Sequence, residues 1–268
     1  MSSGIITISS PEKVDMADDW YLYATLDHFW IRGRFRAAMG NRALRDLKAA
    51  RIMEIGCGNG LVIQQFEKQP NIVVDGSDLN MFALERVGAI KGSLYCLNIF
   101  DKPAELLNSY DAILLMDVIE HIGDDAEFLR AGTNYLKPGG LVVINVPALN
   151  TLFSKYDTAV GHKRRYDKKM IRKLFALCDI EEVSVRYWGF TLLPIAILRN
   201  LILKFTDEDR VISTGFRPPN RALNWLMDKV FALESAVLPS PVLGTSIIAV
   251  GRYAPGRRDT KTANEETG

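Results

Sequence analysis

Residues 53–60, "MEIGCGNG", decide the fold. They close the apolar run "RIMEI" that begins at Arg51 and lead directly into "LVIQQFEKQ", which reads as a helix. A strand, a glycine loop and a helix in that order open an α/β sheet whose ligand sits at the carboxyl end of the strand. Glycines at 56, 58 and 60 let the backbone turn tightly and approach that ligand closely. The spacing is GxGxG, because Leu61 stands where a GxGxxG dinucleotide loop has its last glycine. Glu54, at the strand end, would repel a pyrophosphate and favours a cationic ligand instead.

Outward from this loop, short apolar strands alternate with helices. "NIVVDGS", "SLYCL", "YDAILLM" and "GLVVINV" read as further strands. "LNMFALERVG" and "DDAEFLRAGTNYLK" read as the helices between them. Continuous apolar strands spaced by helices predict a doubly wound, mostly parallel sheet covered on both faces. After the helix "DKKMIRKLFALC" come "IEEVSVRYWGF" and, much later, "GTSIIAVGRY", a final strand pair. Four regions follow. Residues 12–46 form an N-terminal helical segment or lid. Residues 47–190 with 244–254 form the ligand-binding domain. Residues 191–243 are a helical insertion broken at Pro194, Pro218-Pro219 and Pro239, and 255–268 are a polar, disordered tail.

Composition narrows the function. The 268 residues carry 33 Lys+Arg against 32 Asp+Glu, too balanced for a nucleic-acid binder that relies on counterion release. Cys57, Cys96 and Cys178 have neither metal nor redox spacing, which points to a reducing, cytoplasmic setting. The amino-terminal stretch "MSSGIITISSPEK" lacks the basic and apolar regions of a signal peptide. The most apolar stretch, residues 187–205, is interrupted by Pro194, Arg199, Asn200 and Lys204, short of the roughly 20 clean apolar residues of a membrane span.

S-adenosylmethionine (SAM) fits the loop, because it carries a sulfonium and an ammonium and no phosphate. Asp78, in "GSDLN", is 22 positions beyond Gly56, where a carboxylate accepts bonds from ribose hydroxyls. Asn98, in "LNIFD", is placed to accept a bond from the adenine amino group, with Ile99 on the ring. The ordered set "MEIGCGNG", "GSDLN", "LNIFD", "MDVIEHI" and "LKPGGLVVINVP" resembles the class I SAM-dependent methyltransferases over residues 50–150. The resemblance implies a seven-stranded Rossmann-like sheet. It implies cofactor contacts from Arg34, Glu54, Gly56, Gly58, Gly60, Asp78, Leu79, Asn98, Ile99 and Met116.

"MDVIEH" (116–121) closes the strand beside the cofactor. Asp117, Glu120 and His121 share one face if the chain turns helical there. With His162, from "VGHKRRY", they form a candidate set for Mg²⁺ or a similar cation. The pairing resembles ubiquinone-pathway O-methyltransferases and small-RNA 2′-O-methyltransferases, in which a metal binds adjacent acceptor hydroxyls. Asp117 stands where those families have Glu. Two other readings stay open: His162 or His121 as a metal-free general base, or neither histidine in the chemistry, with positioning alone driving transfer.

Arg164 and Arg165 are candidates to hold a substrate anion. His28 and Trp30, in "HFWIRGR", are candidates to meet the acceptor from the lid. "HFWIRGR", "GHKRRY" and "LGTSIIAVGRY" together resemble bacterial methyltransferases of glycan and secondary-metabolite pathways. The expected activity is O-methylation of a small sugar, phenol or quinol-like acceptor by a monomer or homodimer. The alternatives are N- or C-methylation without metal, and a non-catalytic SAM-binding partner subunit. The insertion is a pocket wall, a dimer face or a peripheral membrane contact.

Overall fold

The computed structural model describes residues 4–13, 19–216 and 220–256. Eight strands form one sheet: β1 (Ile5–Thr7), β2 (Arg51–Ile55), β3 (Val73–Asp78), β4 (Leu94–Cys96), β5 (Tyr110–Met116), β6 (Leu136–Pro147), β7 (Ile180–Trp188) and β8 (Ser246–Tyr253). Their order is β1-β4-β3-β2-β5-β6-β8-β7. Strands β1 to β6 pair in parallel, and β8 runs antiparallel between β6 and β7. The sheet therefore turns from rightward to leftward winding between β2 and β5, the crevice where open α/β sheets hold their ligands.

Alternation along the central strands builds two cores. Met53, Ile55, Ile113, Leu115, Val142 and Ile144 point to one face. Ile52, Ala112, Leu114, Leu141 and Val143 point to the other. Successive side chains in a strand face opposite ways, so continuous apolar runs cover both faces. Truncating one of the leucines, isoleucines or Met53 to Ala costs about 2–5 kcal/mol.

Eleven helices among the described residues cover the sheet. They are α1 (Asp19–Tyr23), α2 (Phe29–Met39), α3 (Arg42–Arg45), α4 (Leu61–Phe66), α5 (Met81–Leu84), α6 (Asp125–Thr133), α7 (Lys155–Ala159), α8 (Lys168–Leu177), α9 (Leu193–Leu203), α10 (Val211–Phe216) and α11 (Arg221–Val237). Helices α6 and α8 bury Leu129, Ile171, Leu174 and Phe175 on the first core. Helices α2, α4 and α11 bury Ala38, Ile63, Phe66 and Phe231 on the second. Side chains start several of them: Asp124 accepts from Glu127 N, Asp167 from Met170 N and Asn220 from Leu223 N.

The sequence reading misplaced three features. The sheet has eight strands, not seven: Ile5–Thr7 pairs with Leu94–Cys96, a three-residue edge too short to show a period. The helix expected over 124–137 stops at Thr133, because Leu136–Pro138 joins β6 and a register shift beside Tyr110 takes up the extra residues. The helix expected over 79–88 shrinks to Met81–Leu84, capped by Asn80. The chain between β7 and β8 carries helices α9, α10 and α11, and ends in a non-helical stretch over residues 238–245 that contains Pro239. The expected break at Pro218-Pro219 and residues 257–268 of the expected tail lie outside the described residues. No helix among the described residues is long and apolar enough to cross a membrane.

Candidate active site

The glycine loop bends as the sequence requires. Gly56 sits at φ 72°, and a Cβ there would stand 2.7 Å from Val118 Cγ2. Asp78, at the end of β3, ties the loop down: Oδ2 accepts from Gly58 N at 2.8 Å and Oδ1 from Asn80 N at 2.9 Å. Two adjoining cavities open over this loop. The wider one is lined by Gly56, Asp78, Leu79, Asn98, Ile99, Val118 and His121, among others. The narrower one is lined by Trp20, Tyr21, Arg34, Glu54, Gly58 and Met116, among others. Nine of the ten residues expected to meet the cofactor therefore line one or other of these two adjoining cavities. Gly60 does not; it starts α4 at φ 73°. Asn98 Oδ1 already accepts from Phe100 N at 3.1 Å, which leaves one lone pair for a ligand.

The narrow end holds buried ionisable groups. Glu54 is buried and its Oε2 has no hydrogen-bond partner. Burial pushes its pKa up to about 8 against the pull of Arg34. Arg34 is itself buried, with Nη1 2.5 Å from Asp117 Oδ2 and its Nε unpartnered. A ligand with an ammonium and a carboxylate suits this pair, its ammonium displacing the proton that Glu54 holds.

"MDVIEH" divides in two. Asp117 takes a left-handed φ of 65°. Its Oδ1 accepts from Asn145 Nδ2 at 2.7 Å, and Asn145 Oδ1 in turn accepts from Trp188 Nε1 at 2.9 Å. With Arg34 on its other oxygen, Asp117 is not in the donor cluster, contrary to its expected role as a ligand. It lines both cavities over the glycine loop and a third that extends from His162, so it stands where the three meet.

The residues that do converge are Glu120, His121 and His162, whose donor atoms all lie within 4.8 Å of one another. Ile119–His121 is a 3-10 turn rather than an α-helix. Glu120 is fully buried and neither carboxylate oxygen has a hydrogen-bond partner. Burial, then the charge of Asp117, hold its pKa well above the carboxylate range. Neither ring nitrogen of His121 meets hydrogen-bond geometry. Burial and His162 outweigh the nearby Gly161 backbone and lower its pKa to about 3. His162 Nε2 lies 3.8 Å from Glu120 Oε1, and its Nδ1 is 2.9 Å from Asp157 Oδ1.

A third cavity extends from His162 under the helices between β7 and β8. Aromatic and aliphatic groups wall it: Trp20, Phe29, Trp30, Tyr156, Leu192, Ile195, Phe216 and Met227. Of the four expected acceptor contacts, Trp30 presents an indole to this space. His28 lines it too, but both its nitrogens are in use, Nδ1 accepting from Trp30 N and Nε2 bonded to Phe216 O. Burial takes its pKa down to about 4. Arg165 is spent on both oxygens of Asp157 and on Ala148 O. Arg164 does not line the cavity; it pairs with Asp125 at 2.9 Å and with Gly123 O. Neither arginine is left for a substrate anion. The sequence reading missed Asp157, Asn145, Tyr156 and Arg199. For Asp157 a signal existed: "SKYD" is a capping box, with Ser154 N and Oγ both donating to its Oδ2.

A mostly parallel sheet with one antiparallel strand tucked beside its edge, and a GxGxG cleft facing a strand-end carboxylate, define the class I SAM-dependent methyltransferases. The chain matches the methyltransferase domain family over residues 26–192, more than half its length, and belongs to that family. Among curated proteins, a ubiquinone biosynthesis O-methyltransferase of Neisseria meningitidis serogroup C is 29% identical over 132 residues, 43% of this chain and 56% of that protein. One from Ruegeria pomeroyi is 32% identical over 118 residues, 42% of this chain and 46% of that protein. The chain thus spans about half the length of the curated relatives it matches. The crystal structure of a SAM-dependent methyltransferase from Archaeoglobus fulgidus superposes with a TM-score of 0.50 at 15% identity, covering 82% of this chain and 94% of that one.

Proposed function

We propose that the protein transfers the methyl group of SAM to an oxygen of a small hydroxylated ring, phenol- or quinol-like or a sugar, with help from a divalent cation. The observation that carries this reading is the Glu120–His121–His162 cluster, in which His162 lines the third cavity and His121 the wider cavity over the glycine loop. A fully buried carboxylate with no partner on either oxygen is costly unless a proton or a cation satisfies it. Two imidazoles beside it, one neutral well below pH 7, supply the further donors. The group fits a cation. With Asp117 withdrawn, one carboxylate and two imidazoles suit a first-row transition ion better than Mg²⁺.

When bound there, such a cation would lower the pKa of an acceptor hydroxyl. The chain's own residues do the rest. Asp157 fixes the ring orientation of His162 through Nδ1, leaving Nε2 toward Glu120. Glu54 and Arg34 hold the charged end of SAM, and the Asp78 carboxylate its ribose. The aromatic walls exclude water, which favours an oxyanion meeting a sulfonium, because charge is neutralised as the methyl moves.

One observation supports a second, metal-free reading. The Asp157–His162 contact also resembles a carboxylate orienting a general base, with His162 Nε2 taking the hydroxyl proton. Exhaustive chelation separates the two. Loss of methyl transfer, restored by Mn²⁺ or Zn²⁺, supports the metal; an unaffected rate leaves His162 as base.

A further inference from the structure

The cavity that extends from His162 is lined by a half-buried arginine without an ion pair among the described residues. Three arginines line the cofactor and acceptor cavities. Arg34 is paired with Asp117 and Arg165 with Asp157. Arg199, from α9, has no ion pair among the described residues. Its guanidinium lies over the Tyr156 ring at 4.9 Å. Its two hydrogen bonds, to Gly215 O and Asn200 Oδ1, are both stretched to 3.4 Å. Its Nε is buried and has no partner. The carboxylate it feels, Asp157, is already held by His162 and Arg165.

A guanidinium desolvated on an aromatic ring and left with two marginal bonds is costly on its own. Its planar fork matches a carboxylate or phosphate in two-point contact. The position matters as much as the charge. Tyr156, which Arg199 covers, precedes Asp157 on α7, and Asp157 carries His162. An anion at Arg199 would therefore sit in the cavity that His162 lines.

We infer that Arg199 recognises an anionic group, a carboxylate or a phosphate, on the acceptor whose hydroxyl is methylated. This rests on the O-methylation reading for the hydroxyl, but not for the anion. It sets the acceptor apart from a neutral quinol-like ring. It also replaces the anion-binding role that the sequence suggested for Arg164 and Arg165.

The test is calorimetric binding in the presence of S-adenosylhomocysteine. Three probes are used: 3,4-dihydroxybenzoate, phenyl phosphate and 4-methylcatechol, the last with a methyl group in place of the carboxylate. The wild-type protein is expected to bind one or both anions about 10- to 100-fold more tightly than 4-methylcatechol, the span of a charge-assisted contact. Which anion binds tighter identifies the source. Arg199→Met should erase the preference without changing 4-methylcatechol binding, and Arg199→Lys should keep part of it. Melting temperatures check folding, and Arg199→Gln is the parallel variant if Met is not tolerated. Equal binding of anion and neutral ring, a preference that survives in Arg199→Met, or no binding by either anion overturns the assignment. Methyl transfer to the two catechols is read separately. An anion bound through Arg199 but never methylated removes the O-methylation reading alone. Methylation of both catechols with equal efficiency, and no anion preference in binding, removes the Arg199 assignment alone.

Discussion

Asp157 holds two side chains at once: Oδ1 takes His162 Nδ1 at 2.9 Å and Arg165 Nε at 2.8 Å, while Oδ2 takes Arg165 Nη2 at 3.0 Å. Burial alone would raise its pKa, but the His162 hydrogen bond and the Arg165 charge hold it well below the carboxylate range. Its contribution to stability is therefore complete above its ordinary value of 3.8 and fades as pH falls toward the lower folded value.

This joint gives the first prediction. Asp157→Asn keeps the volume but weakens the hold on His162, and should lower turnover about 10- to 100-fold, the usual cost of losing an outer partner of a ligating histidine. SAM affinity should be unchanged, because the cofactor cleft lies on other loops. Asp157→Ala should also destabilise the fold by about 3–5 kcal/mol, because Arg165 is left buried without a counter-charge. A full rate in Asp157→Asn, with the melting temperature unmoved, would remove Asp157 from the site.

Much of this site is legible in the sequence, and the missing part has a physical cause. The glycine loop, Asp78 and the 116–121 turn sit at strand ends, and strand ends follow from apolar runs that the sequence displays openly. Asn145 meets Trp188, and Arg199 meets Tyr156, across 43 positions each. Neither is a local pattern. Asp117 shows the limit well. Its spacing with Glu120 and His121 implies a shared face only for an α-helix, and the left-handed φ at 117 followed by a 3-10 turn removes that geometry. The basic run 163–165 was misleading for the opposite reason: its arginines are adjacent in sequence but are consumed by Asp125 and Asp157 in space.

Glu54 gives a pH prediction. Its pKa is about 8 in the folded chain against an ordinary 4.5. The folded state therefore keeps this proton when the unfolded chain has lost it. Stability from this group is full below about pH 4.5 and declines as pH rises toward 8. Binding of SAM brings positive charge to the carboxylate and should expel that proton. Calorimetry at pH 7, in buffers of different ionisation enthalpy, should show about one proton released per SAM, and Glu54→Gln should show none. Equal proton release by both proteins would place the cationic end of SAM elsewhere.

Asp78 is the anchor for a third prediction. Asp78→Ala frees Gly58 N and Asn80 N, so the loop loses its tether as well as the ribose contact proposed for this carboxylate. SAM affinity should fall by about 2–3 kcal/mol, more than tenfold in Kd, with the sheet intact. Unchanged affinity by calorimetry, in a variant that melts normally, would sink the assignment.

The last prediction returns to Glu120. Its carboxylate is fully buried, unpartnered on both oxygens and held well above its ordinary pKa. Such a group is satisfied either by a cation or by its own proton. Glu120→Gln separates these outcomes, because it copies the protonated acid in shape but cannot neutralise a cation. If a cation binds Glu120, His121 and His162, then Glu120→Gln should lower metal content and methyl transfer together. Chelation of the wild-type protein should do the same, with recovery on Mn²⁺ or Zn²⁺ and weaker recovery on Mg²⁺. SAM should still bind in both cases. If Glu120 is a protonated structural acid, Glu120→Gln should retain its rate and melt at or above the wild-type temperature, and chelation should change nothing. His162 would then act through its ring alone, and His162→Ala should abolish turnover in protein that carries no metal.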